Sequence, residues 1–303
     1  MDALKAMRVF VRAVDLGSLS AVARALDSTQ PNVSKVVAAL ERDVGARLFV
    51  RSAKGLEATE EGRRFYERAQ RILEDYEEAL AEARETVARP SGTLRFNAPL
   101  ALGELRLNAL MLEFLQHHPE IRVEMILNDR LVDLAEEGID VALRQSDTLP
   151  LNVVAREVAA SDRYLSCAPA YLKGCAAIKR PQDLAGHEYL EFAWAATPGY
   201  VTLTDGSGNV RVKVDGRYRV NSSMAIRESL LAGAGVGMTP AWLVEDLVRT
   251  GQLVRVLPRY QGAVQRAYLL YPSRRHLPGR TRALLDFLST RLPQIAGFTP
   301  VRT

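Results

Sequence analysis

Cysteine is almost missing from this chain. Cys167 and Cys175 are the two among 303 residues. Two thiols cannot form a disulfide framework or a four-cysteine zinc site, so structural thiols are the simplest role for them. Histidine is nearly as sparse. His117, His118, His187 and His276 are scattered, none at the spacing of a zinc-hydrolase motif, so no resident metal is expected. No apolar run reaches the roughly eighteen residues that a membrane helix needs. The first residues lack the basic-then-apolar pattern of a secretory leader, so a cytosolic chain without a membrane partner is expected. Signatures of catalysis are absent as well. Gly206-Ser207-Gly208 sits in a turn after Asp205, outside any strand-turn-helix context for a nucleophile. Gly233-Ala234-Gly235-Val236-Gly237 follows a helical pattern instead of opening one, so it is no dinucleotide fingerprint. Neither an enzyme nor a cofactor is expected.

What is present is an ordinary globular composition, 48% hydrophobic and 25% charged, which excludes disorder. The length suggests about two domains. A net charge of +4 over the whole chain says little about partners. Its distribution says more. Residues 1–59 hold nine basic and six acidic side chains, and residues 60–89 hold nine acidic and six basic. The positive charge is densest in the first, short segment.

That segment has the pattern of a helix-turn-helix. Leu4, Met7, Val11 and Val14 recur at helical spacing. Gly17 ends this first helix, and Ser18 can cap a second over Leu19–Leu26. Asp27-Ser28-Thr29 is a polar turn, Thr29 a good cap, and Pro31 fits the first turn of a third helix over Gln30–Arg42. Val33, Val36, Val37 and Leu40 would face inward, leaving Gln30, Asn32, Ser34 and Lys35 outward near its N-terminus. This is the part of a recognition helix that meets base edges in the major groove. Gln and Asn amides pair with adenine, Lys reaches guanine or phosphate, and Pro31 offers a surface for a thymine methyl. Arg47 to Leu56 alternates like a short hairpin, whose basic residues would lie beside a backbone or minor groove. A three-helix protein-interaction module with a solvated polar face fits the same pattern. The candidate DNA contacts are Ser18, Thr29, Gln30, Pro31, Asn32, Ser34, Lys35, Arg51 and Lys54.

Phe10 to Leu26, Thr29-Gln30-Pro31-Asn32-Val33-Ser34-Lys35, Ala39-Leu40-Glu41, Gly45, Arg47-Leu48-Phe49, Arg51 and Leu56 to Gly62 together resemble the N-terminus of LysR-type transcriptional regulators. About twenty positions agree in order and spacing. The resemblance implies a winged helix-turn-helix on a pseudo-palindromic site, with Arg51 of the wing at the minor groove. Two positions depart from the family's usual residues. Val22 stands where alanine is commoner, which should touch packing alone. Asn32 stands where alanine or threonine is usual, and it should alter base preference.

Thr59 can cap a long helix, with Glu60 and Glu61 at its positive end. Phe65, Ala69, Ile72, Tyr76, Ala79 and Ala83 then fall at alternating spacings of four and three, a heptad seam before Pro90-Ser91-Gly92. A homodimer is one reading, and a solvent-bridging helix held by ion pairs is the other. The family resemblance implies dimers that pair into homotetramers.

Beyond Gly92 strands and helices alternate. Thr93–Ala98, Ile121–Leu127 and Asp140–Arg144 read as strands, Glu104–Gln116 as a helix and Leu131–Glu136 as a short helix. This order predicts a parallel sheet with any ligand at the carboxyl ends of its strands. A second unit follows, with strands at Arg163–Ala168, Glu188–Ala193, Val210–Val214 and Arg217–Val220 and a helix from Ser223 through Ala232. The tail supplies a strand at Ala267–Tyr271 and a helix at Thr281–Leu292. Gly138 to Arg144, Ala168 to Leu172, Pro181 to Leu184, Gly233 to Gly237 and Tyr271 to Leu288 continue the LysR-type resemblance.

The expected fold is α/β: a winged helix-turn-helix (1–59), a dimerising linker helix (60–89) and a two-lobed, periplasmic-binding-protein-like effector domain (90–303). Lobe I would take 90–161 and 268–303, and lobe II 162–267. The expected function is a ligand-responsive DNA-binding transcriptional regulator in the bacterial cytosol, associated with the nucleoid. Its partners would be double-stranded promoter DNA, its own copies, a small-molecule effector and RNA polymerase. The rival is a small-molecule-binding α/β protein with an N-terminal protein-recruitment module. Candidate effector contacts are Pro99, Leu100, Ala101, Leu102, Asn128, Arg144, Phe192, Trp194, Asn221, Ser222 and Pro240. Arg144 is an anion partner or a structural ion pair with Asp140 or a neighbouring chain end. Trp194 is a pocket, core or rim aromatic. Pro99-Leu100-Ala101-Leu102 is wholly apolar, where many relatives carry Ser or Thr. An apolar or aromatic co-inducer is therefore expected.

Overall fold

A computed structural model describes residues 2–52, 55–83, 89–130, 132–146, 149–195, 197–273 and 277–301. The side chains of 51, 52, 55, 78 and 81–83 lie outside that description. The chain divides into two compact units, 1–92 and 93–303.

In the first unit α1 (Ala3–Leu16) starts at Asp2, whose carboxylate accepts from the Lys5 N–H at 3.1 Å. Its fully buried line is Ala6, Val9, Phe10 and Ala13, not the expected Leu4, Met7, Val11 and Val14. The helix is covered from two sides, so the arc between the covers is buried most deeply. Met7, Val11 and Val14 pack along its flank. Ser18 caps α2 (Leu19–Ala25) by accepting from Ala21 N–H at 3.3 Å. Val22, one of the two departures from the family pattern, is completely buried. α3 (Gln30–Val44) buries Val33, Val37 and Leu40, with Val36 half-buried. Thr29 stands at its cap position, but its side chain makes no capping bond.

A hairpin follows, β1 (Phe49–Ser52) antiparallel to β2 (Gly55–Ala58). Glu41 ties it to α3 by accepting from the N–H groups of Leu48 at 2.8 Å and Phe49 at 3.2 Å. Thr59 opens α4 (Glu60–Ala83), accepting from Gly62 N–H at 2.9 Å and donating to the Arg47 carbonyl at 2.7 Å. The seam expected along α4 divides. Phe65 packs edge-on against Phe10 at 5.3 Å, and Ala69 is completely buried in the same cluster. Ile72 and Tyr76 stay exposed. Residues 84–88 of the expected linker lie outside the description.

The second unit is built on one curled seven-stranded sheet. β3 (Gly92–Ala98) leads into a helix that starts as α5 (Leu100–Leu102), widens to a π-turn over Gly103–Leu107 and continues as α6 (Asn108–His117). β4 (Ile121–Leu127) lies beside β3. The helix expected at Leu131–Glu136 is a hydrogen-bonded turn in its described part. Asp133 accepts from the N–H groups of Ala135 and Glu136, an arrangement that competes with helix. β5 (Val141–Arg144) pairs parallel to β3. The sheet is nevertheless mixed, which corrects the parallel expectation. β6 (Val153–Cys167) and β13 (Gly262–Pro272) are long antiparallel strands, and β13 also runs antiparallel to β5. The strand expected at Arg163–Ala168 is the far half of β6. Both strands pass through the two lobes, so the expected boundaries at 161/162 and 267/268 fall within continuous strands.

The second lobe hangs on that far half. α7 (Pro169–Lys173) and a 3-10 turn (Pro181–Gly186) precede β7 (Glu191–Phe192). β8 (Tyr200–Thr204) and β9 (Asn209–Lys213) form a hairpin, closed where Asp205 accepts from the Ser207 N–H. β10 (Arg219–Val220) pairs parallel to β7 and leads to α8 (Ser223–Leu231). β11 (Gly237–Pro240) and β12 (Val254–Val256) both pair antiparallel to β6, with α9 (Ala241–Arg249) between them. Gly235 sits where a Cβ would lie 2.4 Å from the Glu188 carbonyl oxygen, which accounts for the glycine there. α10 (Gly279–Arg291) returns over the first lobe, packing Phe287 against Phe114.

Gly62 carries a strong constraint. A Cβ there would meet the Leu48 carbonyl oxygen at 2.1 Å. Alanine favours a helix interior over glycine by about 1 kcal/mol, yet overpacking against backbone costs about 1–3 kcal/mol. Gly62→Ala should therefore lower the thermal midpoint by a few degrees, measured by circular dichroism; an unchanged or raised midpoint would contradict the close approach of α4 to the wing.

Candidate functional site

The first unit presents a polar surface at the start of α3. Pro31, Asn32 and Lys35 are exposed there, while Val33 and Val37 of the same turns are buried. Half-buried Gln30 donates from Nε2 to Ser34 Oγ at 3.0 Å, which orients its amide along the helix. Thr29 is exposed, with its hydroxyl not spent on the cap. Ser18 is half-buried and accepts in the cap of α2, which leaves its O–H free to donate outward. Arg51 falls in β1, and its side chain lies outside the description, as does all of Lys54.

The second unit holds a cavity of about 500 Å³ between its lobes. Pro99, Ala101, Asn128, Asp129, Arg144, Gln145 and Ser146 form one wall. They sit at or just past the carboxyl ends of β3, β4 and β5, where crevices open in such sheets. Phe192, Trp194, Ser223, Ile226, Met238, Thr239, Pro240, Trp242 and Leu243 form the other, and Arg163 and Gln265 lie on the long strands between. Seven of the expected effector residues are therefore together: Pro99, Ala101, Asn128, Arg144, Phe192, Trp194 and Pro240. Four are not. Leu100 points outward and is 40% exposed, whereas Leu102 is completely buried in the core. Asn221 is exposed and outside the lining. Ser222 spends its Oγ accepting from Ala225 N–H at 3.2 Å, so its neighbour Ser223 takes its place in the wall. Helical turning at α5 decides the first pair and capping decides the last. Trp242 and Leu243 were missed, although Pro240 before them could have signalled a helix start.

The walls combine aromatic surface with one buried cation. Phe192 and Trp194 meet edge to face at 5.9 Å. Trp242 stacks on Phe298 and donates from Nε1 to Gln265 at 3.1 Å. Arg144 is 6% exposed. It donates to the carbonyls of Leu143 at 2.8 Å and Arg130 at 3.1 Å, and to Asn97 Oδ1. The ion pair with Asp140 that one reading expected does not form, because Asp140 accepts from the Arg95 N–H instead. Burial pulls the Arg144 pKa below its ordinary value, against the opposing fields of Asp129 and Glu137.

Behind the cavity, one carboxylate binds two guanidinium groups. Arg106, in the π-turn, donates to the Trp242 carbonyl at 2.8 Å and to Asp246 at 2.9 Å. Arg227 of α8 donates to Asp246 at 2.5 and 3.0 Å and to the Leu243 carbonyl. The three charges thus join elements from both lobes that also line the cavity. Elsewhere, burial pushes the Cys167 thiol up to about 11, which suits a structural thiol. Among the described residues no three potential ligands cluster to hold a metal.

A helix-turn-helix with an outward polar recognition helix, followed by a two-lobed α/β unit around a cavity, defines a ligand-responsive DNA-binding regulator. The family models agree. Residues 4–63 match the bacterial regulatory helix-turn-helix of the lysR family, and residues 88–293 match the LysR substrate-binding domain. The chain belongs to the LysR-type transcriptional regulators. It is 30% identical to the transcriptional regulator PtxR of Pseudomonas aeruginosa over 95% of this chain and 93% of that one. It is 30% identical to the activator TtdR of Escherichia coli, covering 97% and 94%. Among solved structures, CrgA of Neisseria meningitidis is 27% identical with a TM-score of 0.62, covering 95% of this chain and 98% of that one. The Vibrio cholerae virulence activator AphB shares the fold at a TM-score of 0.59 and 24% identity, covering 94% and 98%. No helix among the described residues is long and apolar enough to cross a membrane.

Asp246 gives a testable pH dependence. Burial opposes its ionisation, but hydrogen bonds from Arg227 and Arg106 and their charge outweigh that and hold its pKa at about 2. A depressed folded-state pKa contributes stability that is complete above about pH 4–5 and is lost as pH falls toward 2. Asp246→Asn should cost about 1–3 kcal/mol at pH 7 and flatten the acid limb of a pH–stability curve. Equal midpoints for both proteins at pH 7 and pH 3 would contradict this.

Proposed function

We propose that this regulator reads promoter DNA through the N-terminal residues of α3, with the wing alongside, and that a small effector in the inter-lobe cavity changes its DNA complex. The outward set Gln30, Pro31, Asn32 and Lys35 carries the reading. Amides and a cation on one exposed helix end suit base edges and phosphates together. Ser18, Thr29 and Ser34 add hydroxyl donors beside them, and Arg51 and Lys54 supply the wing's positive charge. Asn32 would set a base preference of its own.

The protein acts as a homodimer in this reading. Ile72 and Tyr76 of α4 are the exposed remainder of the seam and give it an apolar contact surface. Dimers pair into tetramers on adjacent sites, and RNA polymerase is the downstream partner. Two linked DNA modules bind more tightly than one through effective concentration. The chain works in the cytoplasm on the nucleoid, without catalysis and without a resident cofactor or metal. Its co-inducer has an apolar, ring-bearing body, matched to Pro99, Ala101, Phe192, Trp194 and Pro240. An effector that binds one quaternary arrangement better shifts the population toward it.

Binding to the DNA upstream of its own gene, followed by fluorescence anisotropy, tests the reading. Affinity should fall by about tenfold or more between 50 and 200 mM salt as counterions are released. Gln30→Ala with Lys35→Ala should cost about tenfold or more in affinity with an unchanged thermal midpoint. Salt-independent binding, or full binding by the double variant, would favour a protein-recruitment role for this module instead.

A further inference from the structure

We propose that the ligand of this cavity is a ring-bearing monocarboxylate, with its acid group on Arg144 and its ring against the Phe192, Trp194 and Trp242 wall. The inference rests on reading the cavity as the effector site. It adds a charge and a polarity to a ligand so far described by its apolar body.

Arg144 carries the charge. It lines the cavity and is 6% exposed. Its hydrogen bonds go to three uncharged oxygens, those of Leu143, Arg130 and Asn97. A guanidinium has five N–H donors, so two remain. Among the described residues Arg144 forms no salt bridge, and the nearby Glu137 is taken by Arg130. Asp129 is exposed and accepts from the Leu100 N–H, and Glu137 is paired with Arg130 at 2.8 Å. Both act on Arg144 only through their fields. A buried cation whose partners are all neutral is costly, and an incoming carboxylate offsets that cost with charge-assisted hydrogen bonds.

Other features limit the ligand. Asp129 lines the same wall as Arg144 and would repel a second acid group there, while Arg163 faces the cavity from β6. Half of the lining is apolar, nine residues of eighteen, and three of those are aromatic. Such a wall suits a flat ring. In the cavity wall, the buried atoms Thr239 Oγ1, Asn128 Oδ1 and Gln145 Nε2 make no hydrogen bond to the described residues. Thr239 is 2% exposed. Buried polar atoms are normally satisfied, so a ring hydroxyl that can both donate and accept completes the match.

The chain has two tryptophans, Trp194 and Trp242, and both line the cavity, so intrinsic fluorescence of the full-length protein reports occupancy directly. Titrations at pH 7 would use benzoate, benzamide, a ring-hydroxylated benzoate and its methyl ether. Benzoate should bind about tenfold or more tightly than isosteric, neutral benzamide. The hydroxylated acid should bind more tightly than its ether. Arg144→Gln should abolish the preference for acid over amide, and Arg144→Lys should keep part of it. The native-protein series stands even if Arg144→Gln fails to fold. Benzamide binding as tightly as benzoate would overturn the acid assignment while leaving an effector cavity in place. No change in fluorescence or thermal midpoint with any probe up to about 10 mM, in the weak range of affinity arithmetic, would remove the cavity reading and the inference with it.

Discussion

The second unit depends on the antiparallel ladder between β6 and β13. It runs from Gly262 opposite Arg163 to Pro272 opposite Val153, with register shifts on the way. Every other strand of the sheet is placed by it, since β5 pairs with one end of β13, and β11 and β12 pair with the far half of β6. Two lobes joined by unbroken strands cannot swing as freely as lobes joined by loops, because any large motion must bend hydrogen-bonded backbone. The chain end reinforces the crossing. Ser161 donates to the Gly297 carbonyl at 2.7 Å, and Thr299 N–H to the Ala160 carbonyl at 2.8 Å. The cavity is the space left over where the two lobes face each other across these strands, and Arg163 and Gln265 reach it from the strands themselves.

Arginine does two different jobs around that space. Arg106 and Arg227 share the Asp246 carboxylate and hold backbone carbonyls, and Arg106 thereby ties the first lobe to α9 of the second. Arg144 is held by neutral oxygens only, so its charge is available. Burial makes the difference consequential. A surface arginine without a partner costs nothing, whereas a buried one biases the cavity toward an anion.

Much of this was legible in the sequence. The helix-turn-helix and the wing follow from local signals that act over a few residues: Gly17 as a stop, Ser18 as a cap, and Pro31 in the first turn of α3. Seven of eleven expected effector residues meet in the cavity, since strand ends and the apolar loop after β3 are also local features. The failures were non-local. Leu100 and Leu102 are alike in sequence, and the turn of α5 alone decides which faces the core. The seam on α4 cannot reveal that Phe65 and Ala69 are spent on Phe10, because that contact spans the length of the unit. β6 and β13 read as short strands, Arg163–Ala168 and Ala267–Tyr271, because a strand that runs on through two lobes carries no local signal of its full length. Asp140 looked like a natural partner for Arg144, but its carboxylate turns to the backbone of Arg95.

The first unit reads DNA and the second holds a ligand, and a regulator of this family is defined by having both in one chain. The most direct measurement is a nuclease footprint of the full-length protein on the DNA upstream of its own gene, taken with and without a saturating ligand that quenches Trp194 and Trp242. Protection is expected in both lanes, with a shift in the protected or hypersensitive positions when ligand is present. Identical footprints with the cavity filled would contradict it.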